Sequence, residues 1–317
     1  MRLYFILILF NCFLLAEYSG GFPGASFQYG TNAREIALSR STLSTYNTGF
    51  NSFINPALLP NIKNNEYGFS HFLMSLDRSI QTISISRPLP PSAGVSMSFF
   101  RSGTDNIIET SSDFGDVLGN LSHSEGFGML SFGIDLGKIS GGFNIKAYFN
   151  NLDNYSGDGI GVDLGVLYEI NQNINFALKL NNLSGNYSWD IDSQKYEEDI
   201  LNNYSVGFSY NDNRNLIMTS QIDFLPIVIN TDNNKNELYE IYRIGLEYNI
   251  DYFMGKEVPI ILRSGIRLDD NKSFYSMGFG FPVIINNKLV LNIDYALDPG
   301  LVDEGISHLF SFTILNY

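Results

Sequence analysis

The chain has 317 residues and a formal net charge of −14; 16% of its residues are charged, 14% are aromatic, and its mean hydropathy is −0.02. This hydropathy excludes a bundle of membrane-spanning helices, and the acidic balance argues against nucleic acid because phosphate binding needs a basic surface. The composition is typical of a β-barrel whose strands alternate apolar and polar side chains, although a soluble β-sandwich can share it.

The N-terminus has the layout of a secretory signal peptide. A short basic start, Met1–Leu3, precedes an almost wholly apolar run from Tyr4 to Leu15, and small residues follow at Ser19–Gly21. The run is too short for a normal membrane span, so we expect residues 1–20 to be cleaved during export; the alternative is an uncleaved anchor. The one cysteine, Cys12, lies in this run, which predicts a mature chain without disulfides.

Residues 21–65 show no strand-like alternation. Asn32–Tyr46 is compatible with a short helix capped by Thr31 or Asn32, whereas two prolines exclude a regular central element in Phe53–Pro60. A barrel of about fourteen strands is too wide to be filled by the side chains of its own wall. We therefore expect this segment to enter the lumen as a hatch.

Residues 66–317 form a series of segments that alternate between apolar and polar side chains. In Ile139–Asn150, for example, Phe143 and Ile145 lie on one face of the predicted strand while Asn144 and Lys146 lie on the other. The pattern predicts an all-β fold, a single transmembrane antiparallel β-barrel of about fourteen strands. The strands are predicted to begin near Glu66, Arg78, Ser92, Ser124, Lys138, Gly159, Asn173, Asn202, Asn215, Leu238, Val258, Ser273, Lys288 and Ile306.

The predicted connections alternate in length along the chain. Even-numbered connections such as Leu136-Gly137 and Asn171-Gln172 are short, whereas most odd-numbered ones, such as Gly103–His123, Asn151–Asp158 and Leu225–Glu237, are longer and polar. Short periplasmic turns opposite long outer loops are typical of bacterial outer-membrane barrels. The pattern predicts an outer-membrane location with both termini in the periplasm and with outer-membrane lipid around the wall.

The last strand ends in an aromatic residue, as outer-membrane barrels do. Phe310, Phe312 and Tyr317 are therefore the candidate assembly signal. Phe310, Phe312 and Ile314 share one phase of the strand, whereas Leu315 and Tyr317 share the other. Either a bulge or apolar residues on both faces accounts for this difference.

Several charged side chains fall on predicted inward faces. Facing lipid at the middle of a bilayer, a Lys or Arg would cost about 2–4 kcal/mol, which favours the inward assignment. Such charges either tune a pore or pair with one another and with the hatch. They are Lys146, Asp163, Lys179, Arg243, Glu247, Arg263, Arg267 and Asp294, together with Glu169 and Asp223.

The chain resembles the PorV/PorQ family, which is similar in turn to the outer-membrane long-chain fatty-acid transporters. The resemblance begins with Asn32–Leu38 and Asn55–Leu59, the "Ala-Arg … Asn-Pro-Ala" stretch, although Ser39–Ser41 stands where the family usually has a glycine pair. It continues through Gly161–Tyr168, Leu180–Gly185, Pro259–Gly265, Gly278–Phe281 and Asp294–Leu297 to the last strand. It implies a fourteen-strand barrel whose hatch motif is Arg34 with Asn55, Pro56 and Ala57. That motif either controls passage or forms a rigid turn.

Two functions follow from the resemblance. The first is a component of type IX protein secretion whose partners are secretion-system proteins or secreted cargo. The alternative is a hatch-gated, FadL-like transporter of long-chain fatty acids or other hydrophobic small molecules. An enzymatic role is not expected, because no serine-centred motif surrounds His308 or the other two histidines. We expect no cofactor and no metal site, since no His or Cys cluster is present.

Overall fold

The computed structural model describes residues 22–110, 115–191, 194–230, 235–253, 256–269, 272–286, 288–298 and 306–316. The predicted signal peptide, residues 1–20, and the terminal Tyr317 lie outside the described residues. Within the described residues, no helix has the length and hydrophobicity needed to cross a membrane.

The strands form one antiparallel sheet that closes on itself. Each strand of the wall pairs with its neighbours in the chain, and β1 pairs with β16 to complete the ring. Fourteen strands make the wall, which confirms the predicted all-β barrel, and β8 with β9 forms an additional hairpin. The strands are β1 Asn65–Leu73, β2 Arg78–Leu89, β3 Ala93–Thr110, β4 Val117–Asp135, β5 Ile139–Leu152, β6 Tyr155–Asn171, β7 Ile174–Leu183, β8 Asn186–Ile191, β9 Gln194–Asp199, β10 Asn203–Asn211, β11 Leu216–Asn230, β12 Lys235–Phe253, β13 Lys256–Asp269, β14 Lys272–Asn286, β15 Leu289–Asp298 and β16 Ser307–Asn316.

The two faces of the wall differ as the alternation predicts. On β5, Ile139 and Ile145 are 49% and 50% exposed on the outside, whereas Asn144 and Lys146 are buried inside. A strand of period two places successive side chains on opposite faces. The apolar set therefore forms an outer belt, and the small and polar set faces the interior.

The barrel has two distinct ends. One end, which we call the turn end, carries the connections 90–92, 136–138, 172–173 and 212–215; the opposite end is the loop end. Several connections predicted as long loops at the loop end are extensions of the strands instead, since β3 continues to Thr110 and β6 begins at Tyr155. Alternation is lost there while the backbone hydrogen bonds persist, as expected where both faces of a hairpin meet water.

The longest connection, between β7 and β10, folds over the loop end. Its β8–β9 hairpin pairs with β6, and Tyr187 is fully buried against the wall. The Tyr187 hydroxyl donates to a carboxylate oxygen of Glu125 at 3.4 Å. Burial and this carboxylate raise the pKa of Tyr187 above its usual range.

Four short helical elements precede the wall. They are a 3-10 helix at Ala25–Gln28, α1 at Ala33–Ala37, α2 at Asn51–Ile54 and a second 3-10 helix at Pro56–Asn61. The helix expected over Asn32–Tyr46 is wrong in length. It ends after one turn because Ser39 and Arg40 adopt left-handed backbone conformations, with φ of 50° and 63°.

The last strand keeps one register throughout. β16 pairs residue by residue with β15 from Ser307 to Asn316 and with β1 from His308 to Asn316, without a bulge. Phe310, Phe312 and Ile314 face outwards, whereas Leu315 lies on the other face. The two phases seen in the sequence therefore reflect apolar residues on both faces.

Candidate ligand cavity and hatch

Residues 22–64 pack inside the barrel, and two asparagines shape this hatch. The side chain of Asn32 accepts a hydrogen bond from the Glu35 N–H at 3.0 Å and caps α1. The Glu35 carboxylate in turn accepts from the N–H and the hydroxyl of Thr31, each at 2.8 Å. Reciprocal bonds of this kind satisfy the donors that a helix start leaves free.

The Asn55-Pro56-Ala57 motif caps the second 3-10 helix. The Asn55 Oδ1 accepts from the Ala57 N–H at 3.0 Å, and Pro56 occupies a helix-start position that needs no donor. The Asn55 Nδ2 also donates to the Val166 carbonyl oxygen at 3.3 Å, which ties the motif to β6. All three motif residues are buried between the hatch and the wall.

Inward glycines of the wall allow the hatch backbone to approach closely. A Cβ atom on any of them would meet a hatch atom at less than 3.0 Å, closer than two non-bonded heavy atoms approach. Measured from a Cβ placed on each glycine, the distances are 2.2 Å for Gly94 to Leu59 O, 2.3 Å for Gly133 to Pro56 O, 2.5 Å for Gly142 to Pro56 C, 2.0 Å for Gly165 to Asn55 Oδ1, 2.8 Å for Gly207 to Leu43 Cβ, 2.5 Å for Gly265 to Leu38 C and 2.6 Å for Gly278 to Ala37 Cβ.

An aromatic cluster holds the first part of the hatch. The ring of Phe27 packs edge-on against Phe100 and Phe127, with centroids 5.6 and 5.1 Å apart, and stacks on Tyr148 at 5.8 Å. The ammonium of Lys146 lies over the Phe127 ring, 4.7 Å from its centroid. These contacts anchor the Ala25–Gln28 helix to β3, β4 and β5 near the loop end.

Arg34 joins the hatch to a chain of charges on the wall. Its Nε donates to Glu247 Oε2 at 2.7 Å, and its Nη1 donates to the Tyr46 carbonyl oxygen at 2.9 Å. The same Glu247 oxygen accepts from Arg263 Nε at 2.7 Å, and Arg263 also donates to Asp294 at 2.5 Å. Two guanidinium groups and two carboxylates thus form a neutral network in the interior.

The other inward charges form two further pairs. Lys146 lies 2.8 Å from Asp163, while Lys179 donates from Nζ to the Phe53 carbonyl oxygen at 2.6 Å. Arg243 lies 2.6 Å from Asp223 and also donates to the Ser39 carbonyl oxygen at 3.2 Å. Each group therefore has a partner in the hatch or the wall, as buried charges require.

Two of the charges predicted to face inwards lie outside these networks. Arg267 faces the interior near the loop end, where its guanidinium lies over the Phe274 ring at 4.1 Å. Glu169 lies in the inward phase of β6 but is exposed, because it stands at the turn end of the strand, close to the connection 172–173. The alternation predicts the face of a residue but not how far the hatch extends along that strand.

A cavity of about 300 Å³ lies between the hatch and the wall at the loop end. The base of the cavity is formed by α1 and the residues that follow it, through Ile36, Ser39 and Arg40. Its sides come from β1 and β12–β16. Most of the lining surface is apolar, although half of the lining residues are polar or charged. The apolar and aromatic members are Ala25, Tyr29, Ile36, Phe72, Met74, Ile241, Phe274, Tyr275 and Leu309. A concave apolar space with a few polar groups is the usual form of a small-molecule site.

A smaller polar cavity of about 70 Å³ lies beside the first. Gln28 and Arg40 line both cavities, and Lys146, Lys179 and Asn182 line the smaller one. A space of this size and polarity suits a few water molecules rather than an organic ligand.

The alternation of the strands did not identify the apolar residues that line the larger cavity. Phe72, Ile241 and Leu309 are buried on the inward face, where the alternation predicts polar residues. It also missed Glu66, whose carboxylate accepts from the Gly49 N–H at 2.7 Å and from the Tyr46 hydroxyl. The inward apolar residues are departures from an otherwise regular pattern, and those departures were the available signal.

The candidate assembly residues lie on the outer surface. Phe310 and Phe312 are 39% and 36% exposed on the outward face of β16, while Tyr317 lies outside the described residues. Their role in assembly stays a prediction.

The fold is similar to that of solved channels for hydrophobic compounds. The P. putida toluene transporter TodX matches with a TM-score of 0.65 at 12% identity over 91% of this chain and 99% of that one. The Ralstonia pickettii toluene transporter TbuX matches with a TM-score of 0.61 at 10% identity over 91% and 99%. A Pseudomonas aeruginosa FadL homologue matches with a TM-score of 0.57 at 9% identity over 90% and 98%.

The likeness is one of fold, because the identities are low. No protein-family model and no curated protein matches the sequence. The comparisons give no support to the PorV/PorQ resemblance or to type IX secretion. The described residues form a closed fourteen-strand barrel with a helical N-terminal segment, and their fold is similar to that of FadL-type hydrocarbon channels.

Proposed function

We propose that this chain is an exported outer-membrane barrel that takes up hydrophobic small molecules through a lumen controlled by its hatch. The observation that carries the proposal is the cavity of about 300 Å³ between α1 and β12–β16. Its apolar lining residues, such as Phe72, Ile241 and Leu309, contrast with the polar interior around them, and a polar barrel interior has no structural need for such a patch. The fold shared with the toluene transporters TodX and TbuX supports the same function.

The outer belt supports the membrane location. Large apolar side chains cover the outward face of the wall, among them Phe69, Ile83, Met97, Ile145, Leu246 and Phe279, all at least 40% exposed. In water, a surface of this extent would favour aggregation, whereas in a bilayer it faces hydrocarbon. Cell fractionation followed by heat-modifiability on a gel tests the location. A soluble periplasmic protein without a mobility shift would contradict it.

Ligand binding is tested by stabilisation of the purified barrel against heat. Oleate and toluene serve as probes of a long-chain acid and of a neutral hydrocarbon. A ligand at 100 times its Kd stabilises the folded state by about 2.7 kcal/mol, so binding is readily detected. If neither probe shifts the melting temperature, the proposal fails.

A pair of variants on β16 locates the binding site. Leu309→Trp fills the cavity from the wall, because Leu309 is buried and lines it, whereas Ile314→Trp places the same ring on the outward face. We expect Leu309→Trp to lose the stabilisation by the probe and Ile314→Trp to keep it. Equal binding by both variants would place the ligand elsewhere.

A further inference from the structure

We infer that the passage through this barrel runs beside β12–β15 and is closed by one thin layer of the hatch. This layer, residues 33–40, is called the septum, and residues 41–62 are called the floor. The septum is the part that moves, and the floor is a fixed part of the wall. The inference rests on the proposed function, and it names the route and the moving part.

The floor is packed against one side of the barrel close to the turn end. Five inward glycines on β3, β4, β5, β6 and β10 allow its backbone and side chains to contact the wall directly. Ser52 adds a hydroxyl contact to Ser98 at 2.9 Å, and Asn144 donates to the Ser52 carbonyl oxygen at 3.1 Å. Contacts this close leave no room for a ligand between the floor and these strands.

The opposite side of the barrel is more open at the turn end. There the glycines in contact with the hatch are Gly245, Gly265 and Gly278, which lie in the middle of β12, β13 and β14. Nearer the turn end, Ile284 follows the inward phase of β14 and is 76% exposed, and Val290 on β15 is only partly buried. By contrast, Ser140 at the turn end of β5 is buried. Solvent thus enters the turn end beside β14 and β15 further than beside β5.

The septum is one short helix thick between these two spaces. Ile36 and Ser39 line the cavity on its loop-end side. On its turn-end side, Arg34 donates to the Tyr46 carbonyl oxygen, and Tyr46 and Thr48 are partly exposed within a segment that is otherwise almost wholly buried. A ligand that leaves the cavity towards the turn end therefore meets α1 first and then the partly exposed stretch of the floor at Tyr46 and Thr48.

Polar contacts hold the septum to the wall. They are the Arg34–Glu247 ion pair at 2.7 Å, the hydrogen bond from the Ala33 N–H to Ser311 Oγ at 2.6 Å and the Ser39–Ser276 hydroxyl pair at 2.8 Å. Glu247 also pairs with Arg263, so its charge stays compensated when Arg34 moves away. An isolated buried carboxylate would oppose that motion strongly.

Two engineered disulfides test which part moves. Ser39→Cys with Ser276→Cys joins the septum to β14, and Ser52→Cys with Ser98→Cys joins the floor to β3. The hydroxyl oxygens are 2.8 and 2.9 Å apart in the two pairs, so the side chains to be replaced are equally close in both. In proteoliposomes loaded with a fatty-acid-binding dye, we expect the septum cross-link to reduce oleate uptake to background and a reductant to restore it. The floor cross-link should leave uptake unchanged.

Ion conductance provides a readout that needs no ligand. In planar bilayers with KCl, we expect Arg34→Met to open the barrel several times more often than the unmodified protein does. The septum cross-link in the Arg34→Met background should abolish these openings, and the floor cross-link should not. Heat-modifiability on a gel confirms that each variant is folded.

The outcomes separate this inference from the proposed function. Uptake or conductance that persists with the septum cross-linked overturns the inference, as does an equal loss with the floor cross-linked, because the whole hatch then moves. If the unmodified protein takes up neither oleate nor toluene, the conductance result alone decides. Openings that stop only with the septum cross-link would support the septum while the transport proposal fails.

Discussion

Asn55 and Gly165 fit together only because residue 165 has no side chain. A Cβ atom on Gly165 would lie 2.0 Å from the Asn55 Oδ1, the same oxygen that caps the second 3-10 helix of the hatch. The hatch motif and the middle of β6 thus share one close contact. In this structure the motif contacts the wall through this oxygen and through the hydrogen bond from Asn55 Nδ2 to the Val166 carbonyl oxygen.

The first prediction uses two neighbouring glycines of β5. A Cβ on Gly142 would lie 2.5 Å from the Pro56 backbone, whereas a Cβ on Gly141 would meet nothing within 4 Å. We expect Gly142→Ala to lower the free energy of unfolding by about 1–3 kcal/mol, because an overpacked site forces the backbone to shift. Gly141→Ala is the control and should change little. Urea unfolding in phospholipid vesicles measures both, and equal effects would contradict the close contact.

The second prediction concerns the cap of the floor. Asn55→Ala removes the acceptor of the Ala57 N–H and the donor to the Val166 carbonyl oxygen, and we expect it to cost about 1–2 kcal/mol. Asn55→Ser keeps an acceptor for the Ala57 N–H without burying a charge and loses the donor to β6, so its cost should be smaller. The comparison is made by the free energy of unfolding. Equal costs for Asn55→Ala and Asn55→Ser would show that the bond to β6, not the cap, is the main contribution.

The third prediction concerns Arg34, whose partner Glu247 lies 213 residues away in the chain. Arg34→Met removes charge-assisted hydrogen bonds worth about 1.5–3 kcal/mol. We expect faster amide hydrogen exchange in α1, with protection in β3 and β4 unchanged. Arg87→Met, at an exposed position of β2, is the control and should leave exchange in α1 unchanged. Uniformly faster exchange throughout the barrel would indicate global destabilisation instead.

The fourth prediction tests the outer belt. Ile145 lies near the middle of β5 and is 50% exposed on the outward face. A Lys at the middle of a bilayer costs about 2–4 kcal/mol, so Ile145→Lys should lower the free energy of unfolding by this amount. Leu118→Lys, on the part of β4 that extends beyond the loop end, should change it by less than about 0.5 kcal/mol. Similar costs at both positions would argue against a membrane around β5.

The sequence by itself determined the wall of this protein. Alternation predicted the starts of thirteen of the fourteen strands within four residues, because one face of each strand is buried and the other exposed at every second position; β4 begins seven residues before its predicted start. It also assigned the face of Lys146, Asp163 and Arg263, since a charge on the outward face of the belt would be costly. The strand extensions at the loop end were missed, because there both faces meet water and the pattern carries no information.

Only the tertiary structure decided how the hatch meets the wall. The contact between Asn55 and Gly165, the ion pair between Arg34 and Glu247, and the cavity between Ile36 and Leu309 each join segments far apart in the chain. In the sequence, a glycine on an inward face only interrupts the alternation. Its function becomes clear when the structure shows which hatch segment occupies the space beside it. These contacts form only when the sheet closes around the hatch, because closure sets which strands surround each hatch residue and at what height.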